Sequence, residues 1–235
     1  MKARLLVGLA CLLPSPPSVR GQASIVDPIN AVIRMPSHGC SATVIYVGDR
    51  SSFFLSCGHV FRDPRNVHKR MTFNLPAPWG WPGVGQWTPA AQRIIAFDTD
   101  LDLALFEVAV RAPYCCPVAG WHYRPGRNFA SVGYDEMRGQ TARRATPLGS
   151  VAQRPDGGLV VDQTLTFTVE PPWHGRSGGA LVDLDNRVLI GVCSAYMGDP
   201  RAARAGDPRG GPGMYVSHRA ILGFLVRSRF LAWPY

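Results

Sequence analysis

Three short stretches carry side chains that could act together on an acyl group. Residues 172–182 (PWHGRSGGALV) set Ser177 among small residues ahead of an apolar run. Glycine there opens backbone conformations closed to other residues and lets a ligand approach the main chain. A nucleophilic hydroxyl needs that freedom: room for a carbonyl carbon, and backbone N–H groups turned toward the oxyanion that forms. Taken alone, G-x-S-G-G also describes an ordinary turn. A serine hydroxyl is a poor nucleophile without a base at hydrogen-bond distance. Residues 53–61 (FFLSCGHVF) end an apolar run on Gly58-His59, and imidazole changes charge near neutral pH. Residues 94–108 (IIAFDTDLDLALFEV) place Asp102 directly before a second apolar run. A carboxylate in that role holds an imidazole in the useful tautomer and stabilises the imidazolium. Asp98 and Asp100 compete with Asp102, and a lone His59 could equally be a satisfied core histidine.

The chain order histidine, aspartate, serine, with the motifs SCGHVF, DLALFEV and GRSGGALVD, resembles the trypsin-like serine peptidases of chymotrypsin fold, in the style of their bacterial branch. The resemblance spans about residues 28 to 230. It implies an all-β fold of two antiparallel six-stranded β-barrels of chymotrypsin type with a C-terminal helix. It implies a triad of His59, Asp102 and Ser177 working through an acyl-enzyme. Asp102 is preferred because it directly precedes Leu103-Ala104-Leu105, as in the family. The N–H groups of Gly175 and Ser177 would form the oxyanion hole. Pro171 takes the place at the base of the pocket for the side chain preceding the cut bond, so no acid awaits a basic residue. Ser194, Ala195 and Tyr196 take the place of the strand that pairs with substrate backbone, with Tyr196 narrowing the pocket. Gly213 lies on its far wall. The expected preference is a small or medium uncharged side chain, with no cofactor and no metal.

Two rivals stand beside this serine endopeptidase. A catalytically silent binding protein on the same fold is motivated by Arg176, a bulky cation next to the serine. An esterase with the same triad is the other. Ser24-Ile25-Val26 is similar to the new N-terminus of activated digestive members, which bury that amine against an aspartate just before the serine. Arg176 occupies that position, so the chain is expected to fold directly to an active form. The remaining histidines, His38, His68, His122, His174 and His218, read as surface or rim groups.

The elements that must position these groups read as short strands between turns. β-Rich runs lie at 42–47, 52–56, 70–75, 91–97 and 103–108, then at 128–134, 143–153, 159–169, 179–184, 188–194 and 213–216. Barrel one is expected over 28–112, a linker with Pro113, Cys115, Cys116 and Pro117 over 109–124, and barrel two over 120–216. Ser217 reads as the N-cap of a helix to 231, with Ile221, Leu222, Leu225, Val226 and Phe230 on one face. The loop 76–87, with Trp79, Trp81 and Trp87, is expected to pack on the barrel. The loop 198–212, with Arg201, Arg204 and Arg209, is expected to be solvated.

Composition bounds the rest. The 235 residues are 46% hydrophobic and 17% charged, enough for a core, and 21 prolines with 25 glycines favour strands and turns. Lys2, Arg4 and the apolar run 5–13, with Gly21-Gln22-Ala23 at a cleavage site, predict a signal peptide over 1–23 and export. The mature domain is then 24–235, secreted or periplasmic. The formal charge of +9 falls by three with Lys2, Arg4 and Arg20, to +6. Basic and aromatic residues form no nucleic-acid motif, and no run spans a membrane. A protein or peptide substrate is the expected partner of a monomer. Export permits disulfides. Cys40 and Cys57 flank a hairpin and could face each other. The family often has a disulfide beside its catalytic histidine, though with the cysteine after it.

Overall fold

The structure, a computed structural model, describes residues 25–74, 86–89, 91–135, 139–154, 157–198 and 211–231. The expected signal peptide, Trp79 and Trp81, and Arg201, Arg204 and Arg209 lie outside the described residues.

The first half contains β1 (Ile25–Val26), β2 (Val32–Met35), β3 (Cys40–Val47), β4 (Ser52–Ser56), the short helix α1 (Pro64–His68), β5 (Phe73–Asn74), β6 (Gln86–Trp87), β7 (Gln92–Asp98) and β8 (Leu103–Val108). All but β1 and α1 form one sheet in the order β6-β5-β2-β3-β4-β8-β7. β3 and β8 are apolar nearly throughout and buried, as strands covered on both faces are. Bulges at Val44/Tyr46 and Ile94/Ala96 bend the strands and curl the sheet. Phe54 stacks on Phe106 at 5.4 Å and on Phe73 at 5.8 Å inside the curl. Trp87 packs on Phe73 at 5.8 Å, the packing role expected of the tryptophan loop.

β9 (Tyr114–Cys115) pairs in parallel with β1 and lies in the linker. Cys116 N–H donates to Val44 O and Ala119 N–H to Leu189 O, so the linker is tied to both halves. The second half follows with β10 (Phe129–Asp135), β11 (Gly139–Arg144), β12 (Pro147–Gly149), β13 (Val151–Gln153), β14 (Leu159–Val161), β15 (Leu165–Thr168), β16 (Ala180–Asp183), β17 (Val188–Tyr196) and β18 (Gly213–Ser217). Its sheet runs β11-β10-β16-β17-β18-β15-β12, with β13-β14 as a separate hairpin. Helix α2 (His218–Arg227) closes the described chain. Ser217 Oγ accepts from Ala220 N–H as its N-cap, and Ile221, Leu222, Phe224 and Leu225 are buried. Phe230 beyond it packs on Phe53 at 4.8 Å, so the second half's tail closes over the first.

The protein is all-β with a C-terminal helix, as expected, and its two curled sheets have the chymotrypsin-type arrangement. Each sheet has seven hydrogen-bonded segments where six strands were expected, because segments as short as β5, β6 and β12 pair separately. The run 70–75 is a strand only at Phe73–Asn74. The run 143–153 is broken at Ala145–Thr146, which belong to no strand, and again at Ser150, a turn that follows Gly149 with its φ of 76°. The run 159–169 is broken at Asp162, whose carboxylate accepts from Thr164 N–H. All five described cysteines are free thiols, Cys40 and Cys57 among them.

Candidate active site

His59 opens a 3₁₀ turn (His59–Phe61) directly after β4. Gly58 must be glycine: a Cβ there would stand 2.5 Å from Asp98 O and 2.8 Å from Leu103 N. This close approach brings the start of β8 against the histidine. Asp102, the residue before β8, has φ of 58°, a left-handed conformation that aspartate tolerates better than most residues. Its Oδ1 accepts from His59 N–H at 2.6 Å, and both carboxylate oxygens lie 3.0 Å from His59 Nδ1. Ser194 Oγ, from β17 of the other sheet, donates to Asp102 Oδ2. Asp98 instead caps its own turn, accepting from Asp100 and Leu101 N–H, and Asp100 is exposed.

The electrostatics follow. The hydrogen bond to Asp102 is the main cause that raises His59 well above a free imidazole, with the Cys57 thiol adding to it and burial opposing. Burial pushes Asp102 upward, but the bonds from His59 and Ser194 outweigh it and hold the carboxyl below its ordinary value. Asp102 is thus the acceptor that holds the ring by Nδ1.

Ser177 sits across the cleft in a turn clamped from both sheets. Ser41 N–H of β3 donates to Ser177 O at 2.7 Å, and Ser41 Oγ donates to Gly175 O at 3.3 Å. Arg176 N–H donates to Trp173 O, and Gly175 has φ of 87°, values that fit a type II turn with glycine at its third position. Among the described residues, the N–H groups of Gly175 and Ser177 donate to nothing, while that of Arg176 between them is used. Gly178 has φ of 79°, and a Cβ on it would collide with Ser41 O and Ser56 Oγ. The second glycine of the S-G-G motif is equally constrained: a Cβ at Gly179 would meet Val132 O at 2.5 Å. The glycines thus let one sheet's turn press on the other's backbone.

His59, Gly175 and Ser177 line one cavity of about 420 Å³ with Ser194, Ala195 and Tyr196. No hydrogen bond joins the His59 ring to Ser177 Oγ among the described residues; unliganded sites often have this looser spacing. Two expected pocket residues stand behind its surface. Pro172 and Trp173 line the cavity, whereas Pro171 is buried beyond it. Gly213 pairs with Tyr196 and would meet Pro172 Cδ at 2.9 Å if it carried a Cβ, so it backs the wall. Arg143 stacks 3.4 Å from the Trp173 ring centroid, and His174 is an exposed rim group. Ser41, and the bond from Ser194 to Asp102, escaped the sequence reading because both depend on contact between the sheets. No group of three or more potential metal ligands occurs among the described residues.

A family model described as a trypsin-like peptidase domain matches residues 40–192. Among solved structures, the HtrA-type protease AlgW with a decapeptide is 18% identical with a TM-score of 0.57, covering 81% of this chain and 51% of its own. The same protease with a tripeptide gives 18% and 0.57, over 84% of this chain and 60% of that one. The inactive form of the Rv3671c protease gives 19% and 0.54, over 85% and 89%. The chain thus spans about half the length of the AlgW structures. No curated protein matches it.

Proposed function

The chain belongs to the trypsin-like peptidase family, and from that premise we propose that it is an exported serine endopeptidase acting through His59, Asp102 and Ser177. The observation that supports this is one cavity lined by Ser177 and by His59, whose ring is bonded to Asp102, residues 43 and 75 positions apart along the chain, with the unused N–H groups of Gly175 and Ser177 in the serine's own turn. His59, its tautomer set by Asp102, takes the Ser177 proton as Oγ attacks the carbonyl carbon. The developing oxyanion is received by Gly175 and Ser177 N–H. The imidazolium then passes its proton to the leaving amine, which departs and leaves an acyl-enzyme. Water, deprotonated by His59, attacks the ester and releases Ser177. The end of β17, Ser194 to Tyr196, offers strand-like backbone to a substrate. A peptide ligand is also what the AlgW structures contain.

The charge that motivated a silent binder is turned away: Arg176 is buried, and its guanidinium binds Asp135. No described helix is long and apolar enough to cross a membrane, and export rests on the sequence of residues 1–23. The test is a fluorophosphonate probe on the folded mature protein. Labelling that disappears in Ser177→Ala, with cleavage of a peptide library, supports the endopeptidase. Ester hydrolysis without peptide cleavage leaves an esterase, and no labelling leaves a binder.

A further inference from the structure

Arg176 is the largest fully buried side chain among the described residues, 1% exposed, one position before the serine. Arginine is almost never buried so completely unless paired. Here its donors are saturated. Nε and Nη2 bond Asp135 Oδ1 and Oδ2 at 3.1 and 3.0 Å, Nη1 bonds Ser131 O and Oγ at 2.9 Å each, and Nη2 also reaches Thr141 Oγ1. Asp135 is itself fixed by Thr141 Oγ, which donates to its Oδ2 at 2.6 Å. The stem lies in a slot left by Gly133, where a Cβ would stand 2.5 Å from Arg176 Cγ. A bidentate guanidinium–carboxylate pair fixes orientation as well as distance. Removing either partner would strand a charge in the interior.

The backbone on each side of that arginine is the part that matters for acyl transfer. Gly175 O and Ser177 O are held by Ser41 from the first sheet, while the Arg176 side chain is held by β10 and β11 of the second. Three successive residues are thus tied in alternate directions, and Gly175 and Ser177 N–H are left over.

We propose that the buried Arg176–Asp135 pair is a positioning device that holds the nucleophile turn with both oxyanion-binding N–H groups presented. This rests on the peptidase reading above. Arg176 touches no substrate; it acts through the peptide units it carries. Neither a lysine ammonium nor an asparagine amide reproduces this two-pronged pairing, so either change should loosen the turn.

The experiment compares wild type, Arg176→Lys and Asp135→Asn, with Arg176→Met as the harsher variant. It measures kcat and KM on an alanyl peptide p-nitroanilide, affinity for the matching peptidyl boronic acid, and affinity for the product peptide. Losing one oxyanion donor costs about 10²–10³ in kcat. The expected result is a fall in kcat of about 100-fold for Asp135→Asn with KM within about threefold. Boronate affinity should fall with kcat, and product-peptide affinity should hold. Arg176→Lys should retain more activity than Arg176→Met. If Arg176→Met does not fold, the isosteric Asp135→Asn still decides. Unchanged kcat with Ser177 still labelled overturns the device and leaves the peptidase standing. Parallel loss of boronate and product binding overturns it in favour of a purely structural pair. A wild-type protein whose Ser177 takes no probe overturns both.

Discussion

Two cation–carboxylate pairs flank the serine, and both close at 3.0 Å: His59 with Asp102, and Arg176 with Asp135. Their surroundings differ. The His59 side chain is 34% exposed and Asp102 12%, and the imidazole borders the cavity. Arg176 and Asp135 are 1% and 3% exposed, and the arginine's partners are all protein. Imidazole can release its proton near neutral pH, whereas guanidinium cannot. Equal separation therefore says nothing about role. Access to the cleft and the ability to titrate fit His59 for the proposed role of base, and their absence fits Arg176 and Asp135 for that of a strut.

That contrast can be broken most sharply at its working end. Asp102→Asn should lower kcat by about 10⁴-fold, since the ring would be held in the wrong tautomer. The sign of its pH effect is fixed too. Only neutral His59 is a base, and Asp102 raises its pKa, so the acid limb of kcat/KM should lie above about 6.5 in wild type. In Asp102→Asn the limb should move down in pH, as a pH–rate series would read directly. Truncating the sealed pair should add a large cost in stability to its effect on kcat. Asp135→Ala leaves a buried guanidinium unpaired and should cost about 3–5 kcal/mol in denaturant unfolding. Asp102→Asn should cost clearly less in the same assay, because the half-exposed imidazole can deprotonate.

Smaller changes sharpen the boundary between the two regions. Gly178→Ala forces a Cβ against Ser41 O and Ser56 Oγ at positive φ, and should cost about 1–3 kcal/mol with activity falling alongside. Ser194→Ala removes one charge-assisted bond to Asp102, worth about 1.5–3 kcal/mol, and should lower the melting temperature accordingly and kcat/KM by about tenfold. Arg93–Glu107 provides the solvent-exposed reference. Its bond is 2.6 Å, shorter than either flanking pair, yet the Arg93 side chain is 71% exposed. Arg93→Ala should shift stability by less than about 1 kcal/mol, screened further by salt. A cost as large as that of Asp135→Ala would mean that burial does not separate these pairs.

Much of the site was legible before the fold because catalysis constrains residue types locally. A base, an orienting carboxylate and a serine in a glycine turn each carry their signature within a few residues. Strands of continuous apolar sequence such as 103–108, and the Ser217 cap, follow from local rules as well. Long β-rich runs misled at 143–153 and 159–169, where the breaks at Ala145–Thr146, Ser150 and Asp162 outweigh the propensity of their neighbours.

By itself, the amino-acid order determined the class of chemistry, the all-β architecture and the three residues to inspect, because these depend on side-chain identity and short-range conformation. Tertiary structure alone decided what Arg176 is for. Its carboxylate partner lies 41 residues earlier and reaches it only through the register of β10 with β11 and β16. The same holds for Ser41 and Ser194, each of which acts across the seam between two sheets. A charge beside a nucleophile is an obstacle or a support according to which way its side chain is buried, and burial is a property of the packed molecule.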